Sequence, residues 1–301
     1  MANASAARVA VVGLGSMGFG MAAALLRAGH DVTGCDVAPA VVERFVAAGG
    51  HGAATPAAAA RTAEIVVTVV VNAAQTEAVL FGPDGAVSAM PDGAVVVSSA
   101  TMDPEIARSL AQRVTAAGRL YLDAPISGGA QRAAEGALTV LASGSRAAFA
   151  KAKPALDAMA ATLYDLGDEP GQGAAFKMIN QLLAGVHIAA ASEAMAFAAR
   201  QNLDLRRVYA VITASAGNSW MFENRMPHVL DADYAPRSAV EIFVKDLGIV
   251  QDMARNARFP VPMAAAALQL FLATAASGMG HDDDASVARL YAAMGGAKLP
   301  E

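Results

Sequence analysis

The sequence predicts an α/β protein in which a doubly wound parallel sheet forms an N-terminal domain and an all-helical C-terminal domain follows. Three observations carry that prediction. At 301 residues the chain has the length of about two domains of ~150 residues each. Its first half alternates short Val-rich runs with helical patterns. Beyond Gly167 the Val-rich runs stop. The break falls at residues 167–171 (GDEPG), a cluster of turn-forming residues that divides the chain into 1–168 and 169–301.

Residues 8–13 (RVAVVG), 31–36 (DVTGCD), 64–71 (EIVVTVVV), 94–98 (AVVVS) and 120–123 (LYLD) are nearly continuous in apolar character. Strands buried on both faces have that pattern. Between them, residues 39–48 open on a proline suited to a first helical turn and close at Gly49-Gly50, and residues 104–117 open on Pro104 and are stopped by Gly118. Such alternation requires crossover connections and hence a parallel sheet. Residues 173–201 contain no proline and are apolar nearly all round, the mark of a long helix buried within a domain or an oligomer. Further helices are expected at 205–215, 239–257 and 263–276, with a frayed tail from Gly295.

Composition narrows the function classes. The chain carries 22 Lys and Arg against 27 Asp and Glu, a net charge of −5, with no basic run, which argues against a nucleic-acid partner held by its phosphates. Apolar residues make up 55% and charged residues 16%, against a typical charged share of ~25%, so the chain is no disordered segment. A membrane span needs ~20 apolar residues. Residues 182–199 carry His187 and Glu193, residues 263–276 fall short, and the apolar run after Arg8 is broken by Gly13, Gly15 and Gly18, unlike a signal peptide. No membrane partner is therefore expected. A single cysteine, Cys35, has no intrachain partner, which fits a reducing cytoplasm. The low charge is explained by alanine-rich surface covered between subunits, in a homodimer or homotetramer built on the long helix.

The chemistry begins at Gly13-Leu14-Gly15-Ser16-Met17-Gly18, between a strand and a helix. Glycines there allow a tight turn, backbone approach to a pyrophosphate and an anion at the helix N-terminus. The motif alone is an ordinary glycine turn, but Asp36 at the end of the next strand completes a dinucleotide site. Its carboxylate suits ribose hydroxyls and repels a ribose phosphate, so NAD is expected over NADP. Asp123-Ala124-Pro125-Ile126-Ser127-Gly128-Gly129 leaves a buried strand into a turn able to hold a carboxylate; by pattern alone it reads first as a structural turn. Lys177 interrupts an apolar helix just after Gly171-Gln172-Gly173, and either snorkels to solvent or sits in a cleft with a lowered pKa.

Other polar and aromatic residues read as structural. Trp220 and Phe222 are core or interface aromatics before they are pocket walls. His187 reads as a satisfied buried histidine, and His30, His51, His228 and His281 lack ligand spacing, so no metal is expected. Asp282-Asp283-Asp284 reads as a solvated loop ahead of a helix.

Four motifs in order, GLGSMG, DAPISGG, GQGAAFKMINQ and FVKDLG (243–248), make the chain resemble the β-hydroxyacid dehydrogenases, the family of 3-hydroxyisobutyrate dehydrogenase, over nearly its whole length. The resemblance implies a Rossmann-type N-terminal domain, a helical second domain and an active site in the cleft between them. It also implies that Lys177 is the general acid/base. Ser127, Gly128, Gly129 and Asn180 would then bind substrate, while Thr101 and Lys245 approach the nicotinamide half of NAD. As catalyst, Lys177 must reach its neutral form, far below the ~10.4 of a free lysine. The stretches VVNAAQTEAVLFG, NQLLAGVHIAAASEAMAF and SAGNSWMFENRMPHVL are most similar to the branch acting on L-threonate. A small hydroxy acid is implied, with tartronate semialdehyde reductase or 3-hydroxyisobutyrate dehydrogenase activity as alternatives. Three departures stand out: Ala100-Thr101 replaces Ser-Thr, Asn180-Gln181 replaces Asn-Asn, and Val71-Asn72 replaces the Leu-Pro whose backbone meets the nicotinamide ribose. An imine reductase is disfavoured by Lys177 and Asp36, and a non-catalytic nucleotide-binding module by the intact lysine and Ser-Gly-Gly turn.

Overall fold

The computed structural model describes residues 6–301. The chain forms two compact units, Met1–Lys177 and Met178–Glu301. Hydrogen bonds from Gly171, Gly173 and Ala174 fasten the head of the long helix to Asp123 and Ser143 of the first unit.

In the first unit, β1 (Arg8–Val12), β2 (Asp31–Cys35), β3 (His51–Ala53), β4 (Ile65–Thr68), β5 (Val95–Ser98) and β6 (Leu120–Asp123) form one sheet in the order β3-β2-β1-β4-β5-β6. All its neighbours run parallel. Residue alternation sorts the two faces. Val9, Val11, Ile65, Val67, Val95 and Val97 pack on one side with Met21, Leu25, Phe45 and Leu156. Ala10, Val12, Val66 and Val96 pack on the other with Leu80, Met90, Leu110 and Val114. Because both faces are covered, the strands are apolar without a break.

The connecting helices are α1 (Gly18–Arg27), α2 (Pro39–Ala47), α3 (Pro56–Ala60), α4 (Ala73–Phe81), α5 (Ala86–Ala89) and α6 (Pro104–Ala116). Proline fills the first turn of α2, α3 and α6, and Thr55, Asn72 and Asp103 cap α3, α4 and α6 with side-chain oxygens.

A second, three-stranded sheet follows: β7 (Ile126–Ser127), β8 (Leu138–Ala142) and β9 (Ala160–Asp165), with α7 (Gly129–Glu135) and α8 (Arg146–Met159) between them. The sequence reading contained neither these strands nor β3. Most of β9 is exposed and β3 spans three residues, so neither has the apolar run that marks a buried strand. Residues 69–71, expected to extend β4, instead leave the sheet, and the Val71 N–H is held by Gln75 Oε1 at 2.9 Å.

The second unit begins in α9 (Gln172–Arg200) and continues through α10 (Leu205–Thr213), α11 (Trp220–Leu230), α12 (Val240–Ala257), α13 (Pro262–Thr274) and α14 (Val287–Gly295). α9 and α12 approach closely at Gly185, where a Cβ would lie 2.9 Å from Leu247 Cδ1. Phe243 stacks on Phe271 with ring centroids 5.1 Å apart. α13 runs on through a π-helical turn, Ala275–Met279, so this segment is longer than sequence suggested. By length and composition both Gln172–Arg200 and Pro262–Met279 match a membrane span. Met178, Ile188, Ala264, Ala267 and Phe271 from these helices nevertheless form part of the unit's packed core.

Two expectations for this unit change. Asp283 and Asp284 are fully buried, not solvated: Asp284 pairs with Arg225 Nε at 2.6 Å, and Asp283 with His228 Nδ1 at 2.8 Å. His187 is only half-buried and lines a groove of about 500 Å³ with Ala194, Phe197, Ile212 and Phe222. Trp220 is 52% exposed, whereas Phe222 is buried and stacks on Tyr209.

Candidate active site

Parallel strands place their C-terminal ends along one edge of the sheet, and ligands of open α/β sheets bind outside that edge. Gly13 follows β1, Asp36 follows β2, Val71 and Asn72 follow β4, Thr101 follows β5, and Ser127 lies just past β6. One topological fact thus gathers residues that are scattered in the sequence.

The glycine loop fits a dinucleotide. Gly13 adopts φ +96°, and a Cβ there would collide with the Val69 carbonyl; one at Gly18 would collide with the Gly13 carbonyl. A Cβ at Gly15 would meet nothing within 4 Å, so this turn faces open space. α1 has no side-chain cap from Met17 and no acidic residue in its first turn, which leaves its amide end suited to a pyrophosphate. Leu14 and Ser16 complete the loop. Asp36 Oδ2 accepts the Leu14 N–H at 2.7 Å, and Oδ1 accepts the Ala38 N–H at 2.9 Å. The carboxylate is thereby fixed beside the loop, and each oxygen has a second lone pair for a ribose hydroxyl.

On the far side, Val71 is half exposed and Asn72 spends its side chain on the Gln75 N–H, 2.9 Å away, as the cap of α4. Thr101 is half-buried, between β5 and the Asp103 cap of α6. Ser127, Gly128 and Gly129 form a turn in which the two glycines take φ +134° and +77°, a backbone path closed to most L side chains.

Asp123, to which the sequence reading gave no role of its own, ties the end of β6 to the head of α9. Asp123 is 1% exposed. Its Oδ2 accepts the N–H groups of Gly171 and Ala174, both at 2.9 Å, and the Ser143 hydroxyl at 3.3 Å. The Ser143 oxygen in turn accepts the Gly173 N–H at 3.0 Å. Together they cap the head of α9 from outside the helix. Burial pushes the Asp123 carboxyl up to about 6, against the pull of those hydrogen bonds. Lys177 follows within the same helix head and is 7% exposed.

Within the second unit, Asn180, Gln181, Lys245 and Asp246 form a hydrogen-bonded polar chain of their own. Asn180 Nδ2 donates to Gln181 Oε1 at 2.9 Å, Gln181 Nε2 donates to Asp246 Oδ2 at 2.5 Å, and Lys245 Nζ donates to Asp246 Oδ1 at 2.5 Å. Gln181 and Asp246 are buried; sequence reasoning singled out neither for a role. Among the described residues, no group of three or more His, Cys, Asp or Glu side chains is arranged to hold a metal ion.

Comparison with known proteins matches residues 8–167 to the NAD binding domain of 6-phosphogluconate dehydrogenase, and residues 171–291 to the NAD-binding family of NADP-dependent 3-hydroxyisobutyrate dehydrogenase. L-threonate dehydrogenase of Cupriavidus necator is 53% identical, over 94% of this chain and 95% of its own. The Escherichia coli K12 L-threonate dehydrogenase is 46% identical over 98% of both chains. Among solved structures, 3-hydroxyisobutyrate dehydrogenase from Salmonella typhimurium is similar with a TM-score of 0.90 at 50% identity, covering 94% of this chain and 99% of its own.

Proposed function

Since this chain belongs to the 3-hydroxyisobutyrate dehydrogenase family and is an NAD-dependent hydroxyacid dehydrogenase, we propose that its substrate is L-threonate and that Lys177 is its general acid and base. The observation that carries the substrate is the likeness, at 53% identity over nearly the whole chain, to an enzyme named for L-threonate. Support for Lys177 comes from its burial at the head of α9 and from the Asp123 link between that head and the strand leading to Ser127.

In this reading the substrate carboxylate rests on the Ser127 hydroxyl and the backbone N–H groups of Gly128 and Gly129. Asn180, three residues beyond Lys177 on α9, orients the hydroxyl-bearing end. Bound NAD supplies the acceptor for the hydride that leaves the carbinol carbon. Lys177 Nζ takes the hydroxyl proton, for which the amine must be neutral, and a buried amine is moved toward neutrality by desolvation. In the reverse direction the protonated amine polarises the carbonyl and returns the proton. Val71, Asn72, Thr101 and Lys245 are assigned to the nicotinamide half, Asp36 and the Gly13–Gly18 loop to the adenosine and pyrophosphate.

Assembly belongs to the same reading. Ile179, Leu183 and Phe197 are 60%, 49% and 65% exposed along α9, a stripe that a second copy of the chain covers in a homodimer or homotetramer. The single cysteine, Cys35, is free and buried, which suits a reducing cytoplasm.

The test is NADH formation by the purified protein with both threonate enantiomers, glycerate and 3-hydroxyisobutyrate. Highest kcat/KM on L-threonate is expected. Preference for glycerate identifies a tartronate semialdehyde reductase, and preference for 3-hydroxyisobutyrate a 3-hydroxyisobutyrate dehydrogenase; either result overturns the L-threonate assignment.

A further inference from the structure

Gln181 stands at the centre of an unbroken hydrogen-bond chain. A carboxylate only accepts, so the Gln181 amide must turn its Nε2 toward Asp246 and leave Oε1 for the Asn180 amide. Both orientations in the chain are therefore fixed by Asp246. The two Asp246 oxygens are divided, Oδ2 taking Gln181 and Oδ1 taking Lys245, each at 2.5 Å. Asp246 is 1% exposed and Gln181 7%, so water offers neither a ready substitute partner. In such surroundings a carboxylate that loses one of its donors is costly, and a bonded chain holds its members in one arrangement. Side-chain length matters as well. An asparagine at 181 is shorter by one methylene, about 1.5 Å, and that withdraws its amide from Asp246.

We propose that Gln181 is a positioning residue: by holding Asp246 it fixes the Lys245 ammonium that meets the cofactor, and it ties that ammonium to Asn180 on the substrate side. This rests on the assignment of Lys245 to the nicotinamide half. A glutamine with an apolar or shorter replacement leaves Asp246 free to turn about its χ angles, and the ammonium paired with it turns too. The expected consequence is weaker cofactor binding without loss of the cofactor loop itself, since Gly13–Gly18 and Asp36 belong to other elements.

The experiment is a double-mutant cycle on NADH affinity, read by fluorescence titration of the full-length protein in the absence of substrate. Gln181→Met keeps the length of the side chain and removes its polar atoms; Gln181→Asn keeps the amide and removes its reach. Each is expected to weaken NADH binding about tenfold, equivalent to ~1.4 kcal/mol, as is Lys245→Ala. In the Lys245→Ala background, neither change at position 181 should weaken NADH further, because the group through which it acts is gone. Retention of parental NADH affinity by the folded Gln181→Met and Gln181→Asn proteins, or full additivity with Lys245→Ala, overturns the proposal. Parental affinity of Lys245→Ala alone instead overturns the assignment of Lys245, and the proposal with it. If Gln181→Met does not fold, Gln181→Asn carries the cycle alone.

Discussion

The Asp123 carboxylate, at the end of β6, accepts the N–H of Ala174 in the first turn of α9 at 2.9 Å. That bond fastens the DAPISGG segment to the helix that presents Lys177. With the Gly171 N–H on the same oxygen, one buried acid serves as an N-cap supplied from outside the helix.

Asp123→Ala is expected to strand the N–H groups of Gly171 and Ala174, each a buried donor worth about 1–3 kcal/mol when unsatisfied. Asp123→Asn retains an acceptor and should be the milder change. Because burial raises the carboxyl from 3.8 to about 6, its contribution to stability is complete below pH 3.8 and is lost as pH rises through about 6. The stability of wild type relative to Asp123→Asn should therefore fall between pH 4 and pH 7 in urea titrations. A pH-independent difference contradicts this account of Asp123.

The same residue shows where sequence reading stops. β1, β2, β4, β5 and β6 are legible because burial on both faces demands unbroken apolar runs, and the glycine loop because its backbone path excludes side chains. Asp123 is not, since its partner Ala174 lies 51 positions away, and neither is Gln181, 65 positions from Asp246. The Asp282-Asp283-Asp284 run looks like surface from composition. It is partly buried because Arg225 and His228, 59 and 55 positions earlier, turn inward to meet it.

Arg225 and Asp284 form a buried pair with side chains 12% and 0% exposed. Removing one partner leaves an uncompensated charge, so Arg225→Met should cost about 3–5 kcal/mol in urea unfolding. The double change Arg225→Met with Asp284→Asn should recover part of that loss. Equal or greater loss in the double variant rules out the uncompensated charge as the cause. Next to it, burial raises the Asp283 carboxyl, but the bonds from His228, Ala285 and Arg237 outweigh it and hold the group below 3.8. Its stabilising effect is present above pH 3.8 and is lost on acidification below that point.

Asp36 beside the glycine loop, with Val37 and Ala38 next in sequence and no arginine there, should favour NAD over NADP at least tenfold in kcat/KM, on the order of 1.4 kcal/mol. Asp36→Asn removes the charge that repels a ribose phosphate and should narrow the gap. Equal use of both cofactors by the parent enzyme contradicts the assignment.

The apolar stripe of α9 predicts an assembly heavier than the 30.4 kDa chain in light scattering at micromolar concentration. Introducing charge with Leu183→Glu and Phe197→Glu should shift the protein toward monomer. A parent that is already monomeric at that concentration excludes the interface.

The central claim is that Lys177 moves the substrate proton, and its most direct measurement is the turnover of Lys177→Ala with the best hydroxy acid, alongside NADH affinity and melting temperature. Loss of positioned acid–base catalysis predicts a fall of about 10²–10⁴-fold in kcat with NADH affinity and melting temperature close to the parent's. Lys177→Arg should not restore activity, because a guanidinium stays protonated and cannot accept the hydroxyl proton. Full turnover by Lys177→Ala, or a loss explained by unfolding alone, contradicts the account and returns Lys177 to a structural place on the helix.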